Sequence, residues 1–149
     1  MKSQDLDDDL PWEATQLTYE GFPLYLRRPV GLDFDALRST LTVHLTLTHE
    51  LNFRRLDGAP ESAYNRGLED FDASVTGYFS DTGQGQIVLV ETYAGKRHYY
   101  FYVSPSVKVD SVLVDLRRRF PGYRLEVEAR SDPGWDFIRR YTADFLHEA

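Results

Sequence analysis

The stretch Gln86–Val103 (Gln-Ile-Val-Leu-Val-Glu-Thr-Tyr-Ala-Gly-Lys-Arg-His-Tyr-Tyr-Phe-Tyr-Val) leaves the chain few folds to choose from. Two runs rich in β-branched and aromatic residues flank Ala94-Gly95, where glycine supplies the positive φ of a two-residue turn. Such a turn predicts Tyr93 opposite Lys96, Glu91 opposite His98 and Val90 opposite Tyr99. One face then carries Val88, Val90, Thr92, Arg97, Tyr99, Phe101 and Val103. The other carries Leu89, Glu91, Tyr93, Lys96, His98, Tyr100 and Tyr102. The first is mostly apolar and the second is aromatic with polar tips. The hairpin is therefore expected at the centre of the molecule, with a core under one side and something specific on the other.

The rest of the chain arranges itself around that hairpin. Residues 1–10 read as a solvated acidic tail and 11–149 as one domain. Trp12–Tyr19 and Phe22–Arg28 form strand-like runs joined at Glu20-Gly21, and Pro23 marks the second as an edge strand. Leu32–Ser39 suggests a single helical turn. Thr40–Thr48 alternates cleanly, with Leu41, Val43, Leu45 and Leu47 against Thr42, His44, Thr46 and Thr48. A loop with Arg54-Arg55 and Asp57-Gly58-Ala59-Pro60 leads into a helix expected to run to about Phe79, on Tyr64, Leu68, Phe71, Val75 and Tyr78. A second helix follows Ser104-Pro105-Ser106, with Val109, Val112, Leu113, Leu116 and Phe120 as its stripe, and stops at Pro121-Gly122. Tyr123–Arg130 alternates again, and Asp132-Pro133 opens a last helix to about His147. From Thr40 the order is strand, helix, strand, strand, helix, strand. The expected fold class is α+β, a ferredoxin-like βαββαβ sandwich with both helices on one face of an antiparallel sheet. An N-terminal hairpin and a C-terminal helix are added to it.

Composition narrows the function classes. The chain has 149 residues, 42% hydrophobic and 14% aromatic, enough for a sizeable core. With no cysteine, thiolate catalysis, disulfides and cysteine-ligated zinc are excluded. A net charge of −7 argues against nucleic acid and against anionic membranes as partners. The acidic N-terminus lacks the basic and then apolar pattern of a secretory signal, so a cytoplasmic location is expected. No phosphate loop is present, because Gly83-Gln84-Gly85 lacks the lysine and hydroxyl ending and precedes a strand. Asp72, with Glu69-Asp70, reads as the solvated side of the first helix, and His49 and His147 read as surface residues.

The helix-free side of the sheet gathers His44, Glu91, Tyr93, His98, Tyr100, Tyr102 and Glu126. Three readings apply to it. It is an ordinary face, with Tyr100 and Tyr102 packed under the N-terminal hairpin or the last helix. It is a partner-binding face, as tyrosine-rich patches with polar rims often are. Or His44 and His98, with Glu91 or Glu126, ligate a divalent metal. The aromatic strand Gly95–Tyr102 has a superficial likeness to an RNA-recognition motif, against which the acidic charge counts.

Four stretches in order extend the argument: Trp12; Asp57-Gly58-Ala59-Pro60; Gly95–Val103; and Phe120-Pro121-Gly122-Tyr123 followed by Asp132-Pro133-Gly134-Trp135. Together they resemble the bacterial domain-of-unknown-function family 695 over nearly the whole chain, with Ala59 and Ala94 departing from its usual turn residues. The resemblance implies an α+β domain with no established catalytic residues and a looser likeness to RraB-type protein inhibitors of ribonuclease E. The expected function is a non-catalytic regulatory module that binds another protein through the tyrosine-rich face, without cofactor or metal. The alternatives are an immunity-type protein that neutralises a toxin and a metal-dependent enzyme using His44 and His98.

Overall fold

The computed structural model describes residues 10–52, 57–59 and 61–146. The expected acidic tail, Arg54-Arg55, Pro60 and His147 lie outside the described residues or, for the tail, almost wholly so. Among these residues the fold is α+β, a six-stranded antiparallel sheet with five α-helices. The elements are β1 (Trp12–Tyr19), β2 (Phe22–Pro29), α1 (Phe34–Leu37), β3 (Val43–Glu50), α2 (Ser62–Gly67) and α3 (Glu69–Thr76). Then come β4 (Gly85–Tyr93), β5 (Lys96–Val103), α4 (Val109–Arg119), β6 (Arg124–Ser131) and α5 (Asp136–Tyr141). A wider π-type turn over Thr142–Leu146 follows α5. The strand order is β1-β2-β4-β5-β3-β6.

The hairpin turn sits where the sequence puts it. Ala94 and Gly95 have φ of 53° and 84°, the doubly positive pattern whose twist suits a hairpin. Tyr93 faces Lys96, Glu91 faces His98 and Val90 faces Tyr99. Further along, the register shifts between Ile87 and Leu89, so Val88 is the extra residue of a bulge. Val88 consequently turns to the same side as Leu89, and Ile87 takes the place expected of it on the other.

The front of the sheet packs Leu45, Leu47, Ile87, Val90, Phe101 and Leu125 against Phe71 and Val75 of α3 and Val112 and Leu116 of α4. The back is covered too. Leu24, Leu26, Leu89, Tyr100 and Tyr102 lie under Trp135, Ile138 and Tyr141, with Leu41 on this side and not with its expected neighbours. The molecule is thus three layers deep, and the back is not helix-free. The first helix is also two, α2 and α3, parted where Leu68 leaves helical geometry (φ −89°, ψ 3°) just after Gly67. The N-terminal hairpin joins the sheet. Pro23 sits in an inner strand, but β4 pairs only with Tyr25–Arg27, so the proline lies where no neighbour on that side needs its missing N–H.

The last helix starts later than the sequence suggests. Trp135 takes a left-handed conformation (φ 57°, ψ 39°) immediately before it. The Asp132 carboxylate accepts the amides of Asp136 and Phe137, both at 3.0 Å, and so caps the helix from upstream. The Trp135 indole stacks on Tyr102 at 4.3 Å and donates to the Leu41 carbonyl at 2.7 Å.

Candidate functional site

Two regions gather polar side chains, one on each face. On the back, the row Glu91–His98–Thr48–Glu126 runs across four strands, with Tyr100 and then His44 and Tyr102 in the rows beside it. Burial divides this set. Tyr102 is 0% exposed, His44 5% and Tyr100 9%, because Phe137, Tyr141 and Trp135 lie over them. These three are therefore corrected as members of an open face: the chain's own C-terminal helix seals them. Glu91, Tyr93 and His98 are half-buried, and Glu126 is exposed on the sheet edge.

Glu91 is the hub of what remains. It accepts the hydroxyls of Tyr100, at 3.3 Å, and of Tyr141, in a very short contact. Burial, then the Glu91 charge, pushes both phenols up, so they remain protonated donors. The Thr48 hydroxyl lies 2.9 Å from His98 Nδ1, while His98 Nε2 is 3.8 Å from Glu91, beyond hydrogen-bond reach. Hydroxyl, imidazole and carboxylate are aligned but not joined into a relay. Burial lowers the His98 pKa, helped by Lys96 and opposed by Glu91. Among the described residues, no group of three or more histidines and acids is placed to hold a metal. Tyr93 instead fastens the hairpins, its hydroxyl donating to the Tyr19 carbonyl at 2.8 Å.

The front face holds the second region. Alternation turns Trp12, Ala14, Gln16, Tyr25, Arg27 and Pro29 of the N-terminal hairpin to this side, and Trp12, Ala14 and Gln16 stay exposed. Helices α2 and α3 rise beside this floor as a wall. Two cavities of about 530 and 480 Å³ lie along the junction, and Arg27 lines both. Its guanidinium pairs with Asp72 of α3 across the groove and rests near the Trp12 ring, 5.7 Å from the centroid. Asp72, expected on a solvated helix side, is half-buried and also accepts the Tyr99 hydroxyl at 2.8 Å.

Arg97, 8% exposed, lines the smaller cavity. Its Nε donates to the Thr92 hydroxyl at 2.8 Å and one terminal nitrogen donates to Asn65 Oδ1 at 2.9 Å. Both partners are neutral. Ala59, which also lines this cavity, is held by a loop that docks on the hairpin turn. Gly95 N–H donates to the Gly58 carbonyl at 2.8 Å, and a Cβ on Gly58 would stand 2.8 Å from the Ala94 Cα. The sequence carried a signal for this site: Thr92 and Arg97 are the polar residues on an otherwise apolar hairpin face, and the turn places them opposite each other. Asp72 and Arg27 carried none, being 45 positions apart on unrelated elements.

With fold and groove in view, the chain is placed by comparison. It is an α+β domain that belongs to the family described as "Family of unknown function (DUF695)", whose sequence model matches residues 11–146. No curated protein and no solved structure matches it. Among the described residues, no helix is long and apolar enough to cross a membrane.

Proposed function

We propose that this domain is a non-catalytic protein-binding module that takes an extended segment of a partner into the front groove. The observation that carries this reading is the bare floor of the N-terminal hairpin. The front of the inner strands is packed under helices, yet among the described residues no helix lies over the front of β1 and β2, beside the helical wall. An aromatic ring, an ion pair and a buried cation line it. Concave sites with a few convergent polar groups are where ligands bind. β1 is an edge strand with no strand partner on its outer side among the described residues, an edge that an extended chain can join.

The reading moves the expected interface from the back of the sheet to the front. The back supplies the rigidity, with α5 locking the strands. We also infer that β4-β5-β3-β6 with α2, α3 and α4 forms a ferredoxin-like unit; the strand order supports it, and the β1–β2 hairpin extends that unit to make the floor.

A photo-crosslinking residue at position 16 tests the site. Placed there, in the open floor, it should capture one stoichiometric protein from the native cytoplasm; placed at position 128, on the back, it should not. Equal capture at both positions, or capture at 128 alone, removes the groove from the account.

A further inference from the structure

Arg97 is a buried cation that makes no ion pair among the described residues. Its partners among the described residues are the Thr92 hydroxyl and the Asn65 carbonyl oxygen, and the carboxylate that lines the groove, Asp72, is engaged by Arg27 and Tyr99. Buried charges are as a rule paired, because withdrawing an ion from water carries a cost that neutral partners repay only in part. A staple between α2 and β4 needs no charge. The guanidinium also keeps a terminal nitrogen with no partner among the described residues, and it lines the cavity of about 480 Å³. The groove holds two guanidiniums, Arg27 and Arg97, against one carboxylate, Asp72. It is therefore locally cationic in a chain of net charge −7.

We propose that Arg97 is an anchor for a carboxylate, and that the segment entering the groove carries an aspartate or glutamate whose side chain reaches it. The proposal deepens the groove reading and rests on it. Guanidinium and carboxylate match in a planar two-point contact, and Ser62 and Gln16 at the cavity wall offer further hydrogen-bonding groups. The ion pair would form in a partly desolvated pocket, where it discriminates strongly between an acid and its amide.

The test is the NMR signal of the Arg97 Nε–H in the full chain, titrated with two blocked pentapeptides. One has glutamate between threonine-valine and valine-threonine, and the other has glutamine in its place. The glutamate peptide should shift the signal and bind on the order of tenfold more tightly than the glutamine peptide. Arg97→Gln should erase that preference while its amide spectrum stays folded. If Arg97→Gln does not fold, Arg97→Lys serves, and should weaken the glutamate peptide selectively. Equal shifts with both peptides, or no shift with either, overturn the proposal. So does a shift of the Arg97 signal on deleting residues 1–9 without peptide, because the chain's own aspartates would then be the occupant. Failure here is distinguishable from failure of the groove reading. A partner crosslinked at position 16 that is indifferent to its acids sinks only the carboxylate. A glutamate-selective shift with no capture at position 16 sinks the protein-binding groove and leaves the anion site.

Discussion

His49 lies with 0% exposure against Phe71 and Tyr123, and neither ring nitrogen has a hydrogen-bond partner among the described residues. The sequence placed it on the surface, since a lone histidine at the end of a strand gives no sign of which rings will close over it. Burial, then the nearby Arg97 and Arg124, lowers its pKa to about 4, and burial lowers that of His44 to about 4 as well. The unfolded chain therefore takes up protons on these rings before the folded one does. The stability this represents is fully present above pH 6.5 and is lost as the pH falls toward 4, by up to roughly 3 kcal/mol for each ring. Urea midpoints measured at pH 7.5 and 4.5 should fall steeply in the wild type. His49→Leu should flatten that slope and, by removing two unpartnered polar atoms, gain on the order of 1 kcal/mol at neutral pH. A slope unchanged by the substitution would contradict the buried neutral ring. Gly58 is the second informative residue. Its φ of +88° and the 2.8 Å approach to Ala94 leave no room for a side chain, so Gly58→Ala should cost at least about 1 kcal/mol in chemical denaturation.

Among the elements, the central hairpin was the most legible because its turn sets its register. Ala94-Gly95 fixes which residues face each other, and the pairs follow without tertiary information. The bulge at Val88 was hidden in a run, Ile87–Val90, that is apolar at every position, so alternation carried no phase there. The break between α2 and α3 had a local signal in Gly67, which the periodicity of Leu68, Phe71 and Val75 outweighed. The cover supplied by α5 could not be read from its stripe alone, because a stripe says that a helix docks and not where. Asp132 is what docks it. Its carboxylate takes the Tyr102 hydroxyl at 2.7 Å together with two helix amides. Burial opposes the ionised form, but those donors, Tyr102 first, outweigh it and hold the carboxyl below its usual range. Asp132→Ala should therefore cost about 2 kcal/mol, the cap and a stranded buried phenol together. A double-mutant cycle with Tyr102→Phe should show coupling above about 0.5 kcal/mol, and strict additivity would separate the two roles.

For the molecule as a whole, alternation divided the strands into two faces, Leu41 and Val88 excepted, and did not decide between them; of the three readings of the back, packing of Tyr100 and Tyr102 under the last helix is the one that holds. Tyrosines and histidines gathered on one side look like a recognition surface in sequence. In three dimensions they are the cushion for a helix that the chain brings back from its far end. The open surface is instead made by adding two strands to the sheet with no helix above them among the described residues, a property of layer counting and not of any motif. The account stands on that front groove being the working surface. Its most direct test is the affinity of the protein crosslinked at position 16 for three chains: wild type, Ala14→Trp, which fills the exposed floor, and Glu126→Arg, which alters the exposed back edge. Binding should weaken by roughly tenfold or more with Ala14→Trp and change by less than about threefold with Glu126→Arg. The reverse order, with Ala14→Trp harmless and Glu126→Arg damaging, would return the interface to the back of the sheet and contradict the account.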